Sequence, residues 1–344
     1  MPSILVFREN HWLVNIYRGM GVFNGHGFDA FEPRSTDLGE IYQDILKADV
    51  CYFLRTSAPG QIEAFNQCRA MGKPTWYDID DDFFNVSRDS MAYGYYAMDG
   101  SLERVEFFLK NADVVTVSTE YLKRQFDKYR PSDSKCVVIP NAIDDLTFKN
   151  WSKYPEKEPN NTVVWRGGGT HQMDLMYYAN ELNEFADMSR LDEMNLNFYG
   201  FDPFWITIKD GKPRENCKAF GYKKSYYEYM MAMREVVRPL AVVVPLRPCE
   251  FNYGKSNIAA LEAVYAGAIP IVPDWEEWKC FTWKYKDKHE LSIGLTGIRQ
   301  KNPVTREKAF SFNCKGISEK YVLSVTNKKR EEIIQKLTGK QNVQ

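Results

Sequence analysis

In the segment FNYGKSNIAALEAVYAGAIPIV (251–272), Lys255 and Ser256 open an apolar helical pattern that carries one carboxylate, Glu262, and runs into an apolar strand. A helix N-terminus presents unpaired backbone N–H groups and a partial positive charge, and so attracts anions. Lys255 adds a full charge there, and Ser256 and Asn257 add hydrogen-bonding groups. A diphosphate suits this arrangement. Glu262 follows Lys255 by seven residues, two turns along and on roughly the same face, where a carboxylate can accept hydrogen bonds from ribose hydroxyls. The plainer reading is a solvated lysine and a capped helix with one salt-bridged glutamate. The small residues around Glu262 and the strand that follows at once speak for a buried position instead.

A second candidate is VVWRGGGTHQMDL (163–175), in which a strand meets three glycines and then a helix. Gly167, Gly168 and Gly169 let the backbone approach a phosphate closely. Arg166 precedes them, and Thr170 or His171 can reach a donor sugar or its phosphate. His171 reads equally well as an ordinary first-turn residue. The segment is neither a Walker A loop nor GxGxxG. Phe220 and Tyr222, in FGY before a helical stretch, are placed to stack on a nucleobase or to face the core.

The first half offers carboxylates. TWYDIDDDFFNVS (75–87) puts four aspartates in five positions, Asp78, Asp80, Asp81 and Asp82, at the end of a strand. Such clustering is costly in self-repulsion unless something uses it: a metal, or an acceptor hydroxyl to be bound and activated. Asp80 and Asp81 are the first choices for that work, with Asp82 beside them, and helix capping in an acidic loop is the alternative. Arg55 at a strand end and Arg18 in NIYRGMG also face the expected cleft. Glu9 and His11, in RENHW after the first strand, are each a candidate base or a surface residue. Tyr95, in SMAYGYYAMDG with Tyr93 and Tyr96, suits stacking on a sugar or base as well as ordinary packing.

Two runs of alternating strands and helices must position these residues. Near-continuous apolar strands are expected at Ser3–Arg8, Val50–Arg55, Thr75–Asp80, Val114–Thr119 and Cys136–Pro140, and again at 162–167, 196–201, 240–246 and 268–273. Helical patterns separate most of them, which predicts parallel sheets covered on both faces. The expected fold class is α/β, with two doubly wound Rossmann-like domains facing a central cleft. Residues 1–150 form the first domain, 151–161 a polar, proline-containing linker and 162–300 the second domain. Residues 301–344 form a helical segment that packs back on the first domain, its end, 318–337, reading as one long polar helix.

The 344 residues suit two domains of ordinary size. Residues 1–158 hold 18 Lys and Arg against 24 Asp and Glu, and the remainder holds 27 against 22, so the second half is the better place for an anionic ligand. A net charge of −1 argues against a chain that is basic throughout. Seven cysteines without CxxC spacing suggest a reduced, cytoplasmic protein, in a bacterial or phage-infected host cytosol, with no structural zinc. The opening MPSILVFREN lacks a signal-peptide layout, and no apolar run reaches membrane-spanning length.

The second half resembles the nucleotide-sugar domain of GT-B glycosyltransferases, the retaining group often called family 4. The resemblance lies in NAID (141–144), WRGGGTHQMDL (165–175) and FNYGKSNIAALEAVYAGAIPIV, and is specific only in these motifs. In that family two glutamates separated by seven residues precede an Ala-x-x-x-Gly-x-Pro-Val run. Glu262 matches the second, to which the resemblance assigns the ribose. Gly254 stands where the first would be, a departure at a position that usually contacts the donor sugar. A subgroup with FNxxKS is more similar, and there the Lys-Ser pair would hold the diphosphate. The resemblance implies transfer of a sugar from a nucleotide diphosphate, UDP-sugar favoured, to a hydroxyl acceptor with retention. Arg166 and Lys255 then stabilise the departing diphosphate. It implies no tightly bound cofactor and no need for a divalent metal. The acceptor stays open between a glycan, a small molecule and a hydroxymethylated DNA base, as in phage DNA glycosyltransferases, and so does the oligomeric state. A non-catalytic nucleotide-binding protein and a nucleotide-sugar epimerase on the same fold are the alternatives.

Overall fold

The computed structural model describes residues 1–9, 12–35, 37–97, 100–221, 223, 225–298 and 303–339. Its strands are β1 (Ser3–Arg8), β2 (Asp29–Phe31), β3 (Val50–Leu54), β4 (Thr75–Ile79), β5 (Val114–Val117), β6 (Val137–Val138), β7 (Asn160–Arg166), β8 (Asn195–Tyr199), β9 (Ile208–Lys209), β10 (Lys212–Pro213), β11 (Cys217–Phe220), β12 (Pro239–Val243), β13 (Ile269–Pro273) and β14 (Trp283–Tyr285). They form two six-stranded sheets, ordered β2-β1-β3-β4-β5-β6 and β11-β8-β7-β12-β13-β14, and a β9–β10 hairpin. Every pairing within the two large sheets is parallel.

Alternation along each strand divides the apolar residues between the two faces of its sheet. Leu5, Phe7, Cys51, Phe53, Tyr77 and Ile79 pack into one cluster. Their neighbours Ile4, Val6, Val50, Tyr52, Leu54 and Trp76 pack into another. In the second sheet Val163, Trp165, Ala241, Val243, Ile269 and Ile271 face one way, and Val164, Val242, Val244 and Val272 the other. A sheet buried on both faces needs strands without a polar side, which is why VCYFL, PLAVV and IPIVP are buried throughout.

The final helical stretch is divided. Helices Pro303–Lys320 and Leu323–Thr338 are separated at Tyr321–Val322. There the backbone turns to pair with Ile143, whose N–H donates to the Tyr321 carbonyl at 2.9 Å and whose carbonyl accepts from Leu323 at 2.8 Å. The second helix packs on the first sheet. Leu323, Ile333 and Ile334 join Val50 and Tyr52 in one cluster, and the Asn327 amide donates to the Val22 carbonyl at 2.9 Å. The chain thus crosses back from the second sheet to the first.

Candidate active site

In a doubly wound sheet, ligands bind beyond the carboxyl ends of the strands, where the strand order reverses. The first sheet reverses between β1 and β3, and the second between β7 and β12. The two reversal points face each other. Between them lies a cavity of about 550 Å³.

Its second-domain wall carries Arg166 at the end of β7, then Gly167, Gly168, Thr170 and His171, with Lys255 and Glu262 from the 251–265 region and Tyr199, Gly221, Lys223 and Tyr229 around them. Gly167 is sterically required. A Cβ there would lie 2.7 Å from the Trp165 ring and 3.2 Å from His171. The first-domain wall carries Arg55, Asp81, Tyr95 and Tyr96. A smaller adjoining pocket of about 150 Å³ shares Asp81, Arg166, His171 and Lys255 with the main cavity and adds Asp80, Ser256, Ile258 and Ala259.

The Lys255 segment differs from the expected helix opening at Lys255. Residues Glu250–Tyr253 form a short helix, and the main helix begins only at Ile258. Lys255 and Ser256 therefore sit in the turn before it. The Lys255 ammonium lies 2.8 Å from Asp81 and over the Phe251 ring at 4.3 Å. Arg55, with φ +52 in the left-handed region, lies 3.2 Å from Asp80 and 3.2 Å from Asp81, and donates to the Tyr96 hydroxyl at 3.1 Å. Non-glycine residues rarely hold that backbone conformation, and those that do cluster at functional sites.

These charges set the two aspartates apart. Burial pushes the Asp80 carboxyl up, with Arg55 opposing. Burial acts on Asp81 too, but Lys255 and then Arg55 outweigh it and hold that carboxyl below the usual range. Asp81, the member held below the usual range, is the one that faces the main cavity.

Glu262 is buried and fully engaged. It is ion-paired with Arg166 at 2.7 Å and accepts from the Tyr17 hydroxyl at 2.7 Å and the Tyr229 hydroxyl at 3.3 Å, while Tyr17 also bonds Tyr226. Burial raises its carboxyl, against Arg166 and the two hydroxyls. Tyr17 comes from the first domain, so this carboxylate is also a contact between domains. Sequence reasoning did not single out Tyr17, Tyr199, Lys223 or Tyr229. Only the proximity of Tyr17 to Arg18 in NIYRG, and the tyrosine-rich helix from Tyr226, hinted at them.

Several expected site residues have other work. Arg18 does not face the cleft: it is fully buried, binding Asp78 at 2.5 and 2.6 Å, the Ile139 carbonyl at 2.8 Å and Asn141 at 3.1 Å. Asp82 is buried and accepts from Asn85 at 2.8 Å. Asn257 is fully buried and donates to the Glu277 carbonyl at 3.3 Å. Glu9 is absent from the cavity wall and organises the loop after β3, accepting from Ser57 and from the Ala58 N–H at 3.0 Å. It also accepts from Tyr95 at 2.5 Å. Gly169 turns toward Met91, whose sulfur would lie 3.0 Å from a Cβ there. Phe220 stacks on the cavity-lining Tyr199, with centroids 4.9 Å apart, rather than lining the cavity itself. His11 and Tyr222 lie outside the described residues.

Gly254 has a structural explanation. A Cβ there would meet Leu122 of the first domain at 2.9 Å, and the Thr119 hydroxyl donates to the Gly254 carbonyl at 3.3 Å. A close contact between domains occupies the place where the resembling family carries its first glutamate.

The two-domain fold recurs in solved structures. HepE of Anabaena in complex with UDP matches with a TM-score of 0.63 at 12% identity, over 98% of this chain and 100% of HepE. The fold is that of the GT-B glycosyltransferases. A UDP-forming α,α-trehalose-phosphate synthase from Burkholderia xenovorans matches this GT-B chain at TM-score 0.64 and 10% identity, over 98% of this chain and 99% of that one. A mutant of S. aureus TarM, solved in complex with fondaparinux, α-GlcNAc-glycerol and UDP, matches at TM-score 0.62 and 14% identity. There the match covers 86% of this chain, which spans only 57% of TarM. No protein-family model matches the sequence. No curated protein matches it either.

Proposed function

We propose that this protein transfers a sugar from a nucleotide diphosphate, a UDP-sugar in the first instance, to a hydroxyl acceptor. The observation that carries the reading is the convergence of Arg166, Lys255 and the Gly167–Gly168 turn on one wall of a cavity whose opposite wall holds Asp81 and aromatic rings. Supporting it, HepE and TarM, which share the fold, were solved with UDP bound.

In this reading the diphosphate lies in the adjoining pocket, against the turn before Ile258, with Arg166 and Lys255 as its counter-charges. Preorganised cations stabilise the charge that develops on a leaving diphosphate and make a bound metal dispensable for donor binding. Glu262 receives the ribose. Asp81 faces the acceptor and, once Lys255 turns to the diphosphate, is the carboxylate free to accept a hydrogen bond from the incoming hydroxyl. Closure of the two domains excludes the water that would hydrolyse the donor. Retention follows from the resemblance in the Lys255 and Glu262 motifs.

Calorimetry with UDP, GDP and ADP, with and without EDTA, tests the donor assignment. UDP binding that survives EDTA is the expected result, and no binding of any nucleotide overturns it. Release of UDP from UDP-glucose when acceptors are supplied then separates an enzyme from a nucleotide-binding protein.

A further inference from the structure

A second cavity, of about 240 Å³, lies between the same two domains. It takes Tyr121 and Arg124 from the helix Glu120–Phe126 of the first domain, and Tyr253, Trp275, Glu276 and Glu277 from the second. It shares none of its lining with the main cavity. Its volume falls below the roughly 300 Å³ at which pockets for drug-sized ligands begin, so it suits a single ring rather than a nucleotide.

Three aromatic side chains make a continuous wall. Tyr253 meets Trp275 edge-on at 4.9 Å between centroids, and Tyr121 meets Tyr253 at 6.1 Å. All three are only partly buried. The polar groups include both donors and acceptors. Arg124 and Glu276 pair across the domain boundary at 2.7 Å, each about half exposed. Glu277 is only 6% exposed, and its Oε1 has no hydrogen-bond partner among the described residues. A buried polar atom left unpaired is costly, and native proteins rarely tolerate it without a reason.

We propose that this cavity is a second carbohydrate site, binding one pyranose ring against Trp275 and Tyr253 with its hydroxyls on Glu277, Glu276 and Arg124. A pyranose has an apolar face of C–H groups for the aromatic wall and hydroxyls that donate and accept at its edge. Both demands are met here. Burial holds the Glu277 carboxyl up, at about 8, so near neutral pH it carries a proton and can donate to a hydroxyl oxygen. A cationic ligand fits less well: of the three lining glutamates Glu276 is paired with Arg124 and Glu277 is held up by burial with Lys320 near it, which leaves only Glu120. The site does not depend on the transfer reading of the main cavity.

Saturation-transfer NMR on the full chain, with methyl glycosides of glucose, galactose and N-acetylglucosamine as probes and UDP added to occupy the main cavity, tests this directly. The expected result is transfer from protein to ring protons of at least one glycoside, retained in Tyr95→Ala and lost in Trp275→Ala. If Trp275→Ala does not fold, Glu276→Lys, a change at a half-exposed rim position, should reduce the signal several-fold instead. No transfer to any of the three, transfer indifferent to both variants, or transfer to choline and not to the glycosides would overturn the proposal.

Discussion

Two arginine–aspartate groups lie at the end of the same strand, two residues apart, and differ in one respect. Asp78 takes both nitrogens of the Arg18 fork at 2.5 and 2.6 Å and a further bond from Thr116, while Arg18 spends its remaining donor on Ile139 and Asn141. Two residues on, Arg55 reaches Asp80 and Asp81 only at 3.2 Å, and Asp80 Oδ1 and Arg55 Nε have no hydrogen-bond partner among the described residues. Both groups are substantially buried, and both are charged. Saturation separates them. The first is closed and holds the fold together, and the second lies at the cavity wall with bonding capacity left over.

The largest test of that difference is stability. Removing one partner of a buried, fully paired charge costs about 3–5 kcal/mol, so Asp78→Ala should unfold far more readily in urea than the wild type. Asp81→Asn should cost much less, because Lys255 and Arg55 turn toward a cavity that solvent can enter. The same variant should keep UDP affinity and lose most transfer. Equal destabilisation by the two substitutions would erase the distinction.

A third buried carboxylate sharpens it. Glu277 has no paired cation among the described residues, and burial first, then Glu276 and Glu120, push its carboxyl to about 8, against Lys320 and Tyr321. The folded state then holds a proton that the unfolded chain releases near 4.5. Stability is fully present below that value and falls as pH rises toward about 8, by up to about 1.4 kcal/mol per pH unit. Glu277→Gln removes the titration, so its melting temperature should gain on the wild type steadily from pH 5 to pH 8. A constant offset across that range would mean the carboxyl is ionised throughout.

These partnerships also explain what was legible in the sequence. The central strands were, because a sheet covered on both faces demands uninterrupted Val, Ile and aromatic residues. Strands β2 and β14 are three-residue edges and β11 is mostly exposed, so burial left little pattern in them. Arg166, Lys255, Glu262 and Asp81, chosen by type and spacing, line one cavity. Arg18 and Asn257 looked no different in the sequence. What decides their role is a partner elsewhere in the chain: Asp78 for Arg18, 60 positions away, and the Glu277 carbonyl for Asn257, 20 positions away. Neither distance has a local signature.

On the opposite wall, Lys255→Ala should weaken UDP binding by about 1.5–3 kcal/mol, the contribution of a charged hydrogen bond, with little change in melting temperature. Calorimetry reads both the affinity and its sensitivity to salt. Unchanged affinity would move the diphosphate away from the turn before Ile258.

One of the smaller effects expected is the most diagnostic. Glu262 resembles Asp78 in being saturated, but one of its partners, Tyr17, belongs to the other domain and sits within the second domain's core cluster. A ribose hydroxyl that reaches Glu262 competes with the Tyr17 hydroxyl, the Tyr229 hydroxyl and Arg166 for its oxygens. Tyr17→Phe keeps the ring in its packing and removes its hydroxyl, with the bonds to Glu262 and to Tyr226. Its two consequences run in opposite directions. The folded protein should lose about 2 kcal/mol, as for two hydrogen bonds of about 1 kcal/mol each, while UDP binds more tightly because the Tyr17 hydroxyl no longer has to be displaced. A lower melting temperature without UDP and a larger UDP-induced shift, in the same variant, would mark Glu262 as a group held between two partners. A fall in both would make Tyr17 part of the nucleotide site itself and Glu262 a fixed structural carboxylate like Asp78.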